Sequence, residues 1–407
     1  MKSIFWGSAS WLLSGAVIQA AVAFVANLFL MRMLLPEDFG RYAIIQANLG
    51  LISAFLNFRI ADVVLRLPES EYDESVVGTL AGALFLQTIL VGVLGLLSIY
   101  FMGYLSVEAL ILVATILGAS WTGFFIRIYE RKFNYRGVTL TENGSAILSN
   151  IAAVCGAVLG LGAIVLYFRD LLRVLLQFLA LLYFGAVKFQ QVKLPNSKSF
   201  AFLKTNISGI WVDGILEQTF HRVIILAVGF LAGEKGAGYF FQARRLAMVP
   251  HELTQPLTFR LAYNYFSHKV SPLEKYAKLM QFLRYELVFL TLAVLCILFI
   301  LDPVVPWLFG ANWEPVVEVM YYLGGFMIFV TLFNTIKSYS MAENQLGPFI
   351  VYGRSFQFVG LAIGLALGCS GLMNSVNGLA MGLSVSYVLS SAVLVGYYIF
   401  QNGKAEH

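Results

Sequence analysis

The sequence predicts an all-α membrane protein with about twelve transmembrane helices, arranged as two six-helix bundles around a central polar cavity. Its 407 residues are 59% hydrophobic and 12% charged, with a mean hydropathy of +0.79. No soluble domain of this size needs so many apolar residues. Most segments between charged clusters also have about the 20 residues that cross the ~30 Å hydrocarbon core of a bilayer. One of these segments carries a polar half, which predicts the cavity.

Hydropathy and turn residues predict where the spans begin and end. The first apolar run is too long for a cleaved signal peptide, so we interpret it as a permanent span. The predicted spans are 5–34, 42–65, 76–101, 107–128, 138–165, 171–189, 202–231, 238–259, 279–301, 315–340, 349–368 and 376–400.

The longest hydrophilic segment, KFQQVKLPNSKSFAFLK at 188–204, has Pro195, Asn196 and Ser197 at its centre, as flexible connections do. It predicts an N-terminal six-helix lobe at 1–190, a linker at 191–201 and a C-terminal six-helix lobe at 202–407. Lys and Arg residues cluster in alternate loops, so the positive-inside rule predicts that both termini and the linker are cytoplasmic. The same rule favours a crossing at 238–259, because Lys269 and Lys275 would otherwise face outward.

The eighth predicted span is polar along one half. At 100° per residue, Gln242, Arg244, Arg245, His251 and Glu252 fall on that half, whereas Ala243, Leu246, Ala247 and Leu253 fall on the other. Lipid offers no hydrogen bonds to polar side chains. The span must therefore face a water-filled cavity or a polar partner.

Three segments carry a resemblance to a known family. LPEDFGRYA at 35–43 is similar to the pattern L-x-P-E-x-[FY]-G-x-Y-A, and GYFFQARRL at 238–246 resembles the G-x-Y-x-x-A-x-R-[IL] segment that opens an eighth span. WLFGANW at 307–313 resembles the L-F-G-x-x-W turn after a ninth span. Together they resemble the Wzx-type polysaccharide and O-antigen flippases, which share a superfamily with the MATE exporters.

The resemblance implies a V-shaped pair of bundles in the bacterial inner membrane. It also implies a substrate, an undecaprenyl-diphosphate-linked oligosaccharide, that is turned from the cytoplasmic to the periplasmic leaflet by alternating access. Other polysaccharide assembly proteins are possible partners. Family members often have an acid before the arginine late in the seventh span, whereas this chain has His221 before Arg222. That departure puts ion coupling through this position in doubt.

The charges within the spans are the candidate functional residues. The functional hypothesis is a cationic cavity with flanking carboxylates, and the alternative is a structural ion-pair network between two helices. The candidates for substrate binding in this region are Arg222, Arg244, Arg245, Glu217, His221 and Gln242. The candidates for ion coupling are Asp213, Glu217 and Glu252, although Glu252 and Glu286 are also expected to pair with nearby bases.

The second span supplies two further candidates for substrate binding, Arg59 and Asp62, one helical turn apart. A guanidinium can hold adjacent phosphate oxygens bidentately, which an ammonium cannot. We therefore predict that Arg59, oriented by Asp62, takes the diphosphate from the cytoplasmic leaflet. Arg66 is interpreted as an interfacial anchor, and the charges of 127–136 mainly as topology determinants.

Two other function classes are compatible with the composition. One is a cation-coupled small-molecule exporter of the MATE type, which a cationic cavity disfavours. The other is a membrane-embedded glycan polymerase or ligase, but the loops are short and carry no catalytic motif, so no enzyme is expected. We expect no cofactor, metal or disulfide, since Cys155, Cys296 and Cys369 are scattered and four histidines lack ligand spacing. The net charge of +5 is too modest to suggest nucleic acid.

Overall fold

The structure is a computed structural model that describes residues 2–67, 69, 72–131, 135–185, 193, 197–252, 254, 266 and 271–403. Throughout these ranges the regular secondary structure is helical, and no β-strand occurs. The predicted all-α class is confirmed.

Among the described residues before 186, seven α-helices overlap the first six predicted spans, and residues 186–189 at the end of the sixth span lie outside the described ranges. The second span is divided between two of them, α2 and α3, which is a departure from the prediction of one continuous span at 42–65. The helices are α1 (Lys2–Met33), α2 (Pro36–Leu56), α3 (Ile60–Arg66), α4 (Glu74–Phe101), α5 (Val107–Arg131), α6 (Tyr135–Val158) and α7 (Ile164–Tyr183).

The helices from Ser197 onward overlap the last six predicted spans, and residues 253 and 255–259 of the eighth span lie outside the described ranges. A single element, α8, contains the seventh span and the start of the eighth, which meet at Gly233 with φ 68° and ψ −172°, a conformation suited to glycine. The helices are α8 (Ser197–Ala247), α9 (Pro272–Phe309), α10 (Pro315–Tyr322), α11 (Gly324–Ala342), α12 (Ser355–Cys369) and α13 (Ser375–Gly403). A π-helical segment, Phe349–Arg354, leads into α12.

Within the described ranges, six helices are long and apolar enough to cross a membrane, and α10 with α11, bent by 55°, provide a seventh if they form one span. Charged residues explain why some predicted spans fall outside this set. Helix α7, for example, carries Arg169, Asp170 and Arg173 within its 20 residues. The chain is a multi-pass membrane protein.

Contacts between Cα atoms divide the chain into two compact units. The first unit comprises Met1–Leu35 and Ile45–Gln218, and the second comprises Pro36–Ile44 and Thr219–His407. The first turns of α2 are thus grouped with the C-terminal half of the chain.

The core of the first unit packs the short helix α3 against α4 and α5. Its buried residues include Val64, Leu80 and Phe124. Arg131, at the end of α5, donates hydrogen bonds to the carbonyl oxygens of Val64 (2.8 Å) and Leu67 (2.6 Å). Since the last carbonyls of a helix have no partner within it, Arg131 completes the C-terminal end of α3. This packing fixes the helix that carries Asp62.

The three segments similar to the family patterns meet in the second unit. The Trp313 ring is fully buried and lies edge-on to the rings of Phe39 (5.4 Å between centroids) and Tyr239 (6.2 Å). Beside them, Gly40 packs against the backbone carbonyl of Glu234, leaving no space for a side-chain carbon. The family-like residues therefore form one packing centre.

We expect Gly40→Ala to destabilise the protein strongly. An added Cβ would overlap the Glu234 carbonyl, which belongs to backbone and cannot rotate away. Overpacking of this kind typically lowers the free energy of unfolding by about 1–3 kcal/mol. The measurement is the thermal unfolding temperature in detergent, with Gly396→Ala as the control, because a Cβ at Gly396 would meet nothing within 4 Å. Equal unfolding temperatures for both variants would contradict the packing described above.

Candidate functional site

The first candidate cluster lies at the break between α2 and α3. Arg59 precedes α3 with φ 53° and ψ 29°, a left-handed conformation that is uncommon for a residue other than glycine. The backbone N–H of Phe58 donates to Oε1 of Gln87 (3.3 Å), and that of Arg59 donates to Oδ1 of Asn57 (3.0 Å). Irregular backbone inside a membrane is tolerated where such partners satisfy it. The break between α2 and α3 is thus stabilised by hydrogen bonds within the first unit.

Two arginines share Asp62 at this break. Nη1 of Arg59 lies 3.1 Å from Oδ2 of Asp62, and Nε of Arg127 lies 3.6 Å from Oδ1. Arg127 also bonds Glu130, with Nη1 to Oε2 at 2.5 Å. The side chains of Arg59 and Arg127 remain 39% and 41% exposed. The sequence pattern predicts that Arg127 is mainly a topology determinant, whereas in the structure it also belongs to this cluster through Asp62.

Further charges from α6 and α7 extend the cluster. Glu142 interacts electrostatically with Glu130, Arg127 and Arg173. Positive and negative charges are therefore balanced among its six members, which are Arg59, Arg127, Arg173, Asp62, Glu130 and Glu142. In this cluster the ion-pair alternative describes the geometry, and the side chains of Arg59 and Arg127 are partly exposed.

The second candidate cluster lies in the second unit, on both sides of Gly233. Nη1 of Arg244 lies 3.5 Å from the backbone carbonyl oxygen of His221. Nε2 of His221 is hydrogen-bonded to Oη of Tyr387 (3.3 Å), and the two rings are stacked. Arg222 and Arg244 are close enough to repel each other electrostatically. The structure thus brings His221, Arg222 and Arg244 together, as predicted.

Two more cations surround His221. Arg354 and Lys337 act electrostatically on the imidazole, as Arg244 and Arg222 do. Neither residue was among the sequence-predicted candidates; Arg354 is only 1% exposed and belongs to the interior of the second unit. Its guanidinium lies 5.2 Å above the Phe333 ring and donates to Gln357 (3.0 Å), which explains how it is stabilised there.

In the described part of the chain, no acidic side chain lies within ion-pair distance of Arg222 or Arg244. Nε of Arg222 is buried and has no hydrogen-bond partner there. Asp213 and Glu217 precede this cluster on α8, are grouped with the first unit, and have interactions of their own. The second cluster therefore carries positive charge that the described residues do not balance.

The remaining predicted residues follow on α8. Gln242 is fully buried. Arg245 interacts electrostatically with Glu252, as expected for an acid beside a base. Glu286, however, does not meet the expectation of a basic partner, since its described hydrogen bond comes from the Thr335 hydroxyl.

The helical fold and its apolar spans define a multi-pass membrane protein. The profile of the family described as "Polysaccharide biosynthesis protein" matches residues 29–318, and the chain belongs to this family. The resemblance to polysaccharide transport proteins is confirmed at this level. A comparison with curated protein sequences finds no significant match.

Solved structures share the fold over nearly the whole chain. A lipid II flippase MurJ in an inward closed conformation matches with a TM-score of 0.71 and 12% identity, covering 94% of this chain and 87% of its own. An inward-facing multidrug-resistance MATE transporter of the MOP superfamily matches with a TM-score of 0.65 and 14% identity, covering 98% and 99%. A MOP-superfamily transporter from Pyrococcus furiosus, described as having a binding pocket of reversed polarity, matches with a TM-score of 0.57 and 13% identity, covering 98% and 96%. The fold is that of MOP-superfamily flippases and transporters.

Proposed function

We propose that this protein is a flippase for an undecaprenyl-diphosphate-linked oligosaccharide. It moves this lipid by alternating access from the cytoplasmic to the periplasmic leaflet of the bacterial inner membrane, for polysaccharide or O-antigen biosynthesis. The family and the fold support a flippase or a related transporter. The observation that carries the choice of substrate is the positive charge of Arg222 and Arg244, for which the described residues supply no acid.

The arginines and a bound diphosphate each lower the free-energy cost of burying the other. Moving a diphosphate through a low-dielectric region costs several kcal/mol unless cations and hydrogen-bond donors line the way. A buried guanidinium without a counter-charge is also costly. A bound diphosphate would stabilise the arginines, and the arginines would stabilise the diphosphate. Two guanidinium groups can each hold phosphate oxygens bidentately.

The first cluster has a different role in this proposal. The side chains of Arg59 and Arg127 are partly exposed, and Asp62 orients both. Such groups are suited to receive the diphosphate from the cytoplasmic leaflet and to release it, since their charges are already balanced.

The same proposal includes the predicted domain organisation and topology. These are two lobes at 1–190 and 202–407, a linker at 191–201 and cytoplasmic termini. The proposal also includes Asp213, Glu217 and Glu252 as ion-coupling acids, and contacts with other polysaccharide assembly proteins.

A MATE-type exporter of cationic small molecules is the main alternative, since the same fold serves such transporters. The test is deletion of the gene in its host. The flippase proposal expects loss of surface glycan and accumulation of the lipid-linked oligosaccharide in the cytoplasmic leaflet. Unchanged surface glycan together with impaired efflux of a cationic dye would overturn it in favour of the exporter.

A further inference from the structure

A separate polar cluster lies inside the second unit, around helix α11. Thr331 and Thr335 are one turn apart on the same face of this helix. The Thr331 hydroxyl is hydrogen-bonded to Nδ1 of His251 (3.0 Å), and Asn334 lies 3.3 Å from Nε2 of the same ring. The Thr335 hydroxyl donates to Oε1 of Glu286 (2.9 Å). A histidine and a glutamate thus approach one polar stripe from two other segments.

The carboxyl group of Glu286 points into the unit. On α9, Glu286 shares a buried stripe with Leu283 and Leu290, whereas the intervening Tyr285 and Phe289 are exposed. Glu286 itself is only 9% exposed. Its Oε2 atom is buried and has no hydrogen-bond partner among the described residues. The polar end of this side chain is therefore enclosed by protein.

The described surroundings of Glu286 contain no charge that balances a carboxylate. A nearby pair provides a contrast, because Glu343, which directly follows α11, pairs with Lys275 of α9 at 2.6 Å. Apart from the Thr335 hydrogen bond, no group of the packed elements acts appreciably on the Glu286 carboxyl. The titratable groups in the neighbouring segments are Lys337 and Tyr339 on α11, Glu343 directly after it, His251 and Glu252 after α8, and Tyr387, Tyr397 and Tyr398 on α13, with Arg284 and Tyr285 beside Glu286 on α9.

The burial of the Glu286 carboxyl group and its lack of a counter-charge indicate which ion it binds. A buried carboxylate without a counter-charge costs several kcal/mol, and binding one proton removes that charge completely. A divalent metal ion needs several oxygen ligands, and the described residues contain no group of three or more His, Cys, Asp or Glu that could hold one. We infer that Glu286 is a proton-binding site, and that its uptake and release of a proton couples transport to the proton gradient. This coupling of transport to the proton gradient rests on the proposed flippase function.

Infrared difference spectroscopy of the full chain in lipid nanodiscs tests the proton site without any substrate. In potassium buffer, an acid-minus-alkaline spectrum is expected to show the carbonyl band of a protonated carboxyl group. The band should be absent in Glu286→Gln, retained in Glu343→Gln, and shifted in Thr335→Val, which lacks the donated hydrogen bond. A full band in Glu286→Gln would overturn the site. A band removed by exchanging potassium for sodium at constant pH would overturn the proton as its ligand.

Vesicles with an imposed pH gradient test the coupling. Flipping of the lipid-linked oligosaccharide is expected to be stimulated by the gradient in the parent protein, and Glu286→Gln should lose this stimulation while keeping gradient-independent flipping. Equal stimulation of both proteins would overturn the coupling. If the infrared band is assigned to Glu286 but the parent protein flips no glycan lipid, the proton site stands and the proposed function is wrong.

Discussion

Replacing Arg222 or Arg244 with glutamine is expected to lower glycan export roughly ten- to a hundredfold, because a hydrogen bond to a charged group contributes about 1.5–3 kcal/mol. Glutamine keeps the first part of the aliphatic stem and a hydrogen-bond donor but has no charge. Removing one arginine from a buried ion pair destabilises a protein, because the acid is left without a partner. Neither arginine has such an acid among the described residues. We therefore also expect both variants to unfold at the same temperature as the parent protein, or higher, without substrate.

Surface glycan, protein abundance in the membrane and the unfolding temperature in detergent are the three measurements. Arg131→Gln is the matched control, because Arg131 donates to the Val64 and Leu67 carbonyls and pairs with Glu69. That variant should lose stability. If Arg222→Gln and Arg244→Gln lost stability to the same extent, with export falling only in proportion to abundance, a structural ion-pair role would explain them instead.

The second large effect concerns the shape of the Arg59 side chain. Arg59→Lys is expected to reduce glycan export nearly as much as complete removal of the side chain, because an ammonium cannot hold two phosphate oxygens in a planar fork. Arg59→Gly is the better removal variant, since glycine adopts the observed φ of 53° without strain while alanine there costs about 1–2 kcal/mol. Export of the lipid-linked glycan at matched protein abundance is the measurement.

Two neighbouring variants separate this role from a structural pair. Asp62→Asn removes the acid that Arg59 and Arg127 share, leaves Arg127 paired with Glu130, and should be the milder change. Gly214→Ala would place a carbon against Nη2 of Arg59 and should displace the guanidinium, giving an intermediate loss. Full export by Arg59→Lys would show that charge alone suffices. A more severe defect in Asp62→Asn would make Arg59 half of a structural pair.

The sequence predicts the helices and the charges of the second cluster well, because both follow from local patterns. Long apolar segments have one stable form in a bilayer, and the polar half of 238–259 needs a polar environment. His221, Arg222 and Arg244 could be grouped by counting back from the turn near Glu234. Tyr387, which is hydrogen-bonded to His221, could not be found this way, since one tyrosine in the last span has no distinguishing pattern.

The features that sequence analysis missed depend on tertiary contacts. The break at Arg59 contains no glycine or proline, and its backbone is satisfied partly by Gln87, which is remote in sequence. Arg354 was not a sequence-predicted candidate, because the aromatic rings and Gln357 that stabilise it in the interior become visible only in the fold. Glu286 was expected to pair with a base, and only the packing of α9 against α11 shows which group it meets.

The most direct test of the central claim is a flipping assay with the purified protein in vesicles. The substrate is one oligosaccharide carried either on undecaprenyl diphosphate or on neutral undecaprenol, with a probe that reads which leaflet it occupies. We expect the protein to move the diphosphate-linked form and not the neutral form, and the variant with both Arg222→Gln and Arg244→Gln to move neither. Equal rates for both lipids, or an unchanged rate in the double variant, would contradict recognition of the diphosphate by these arginines.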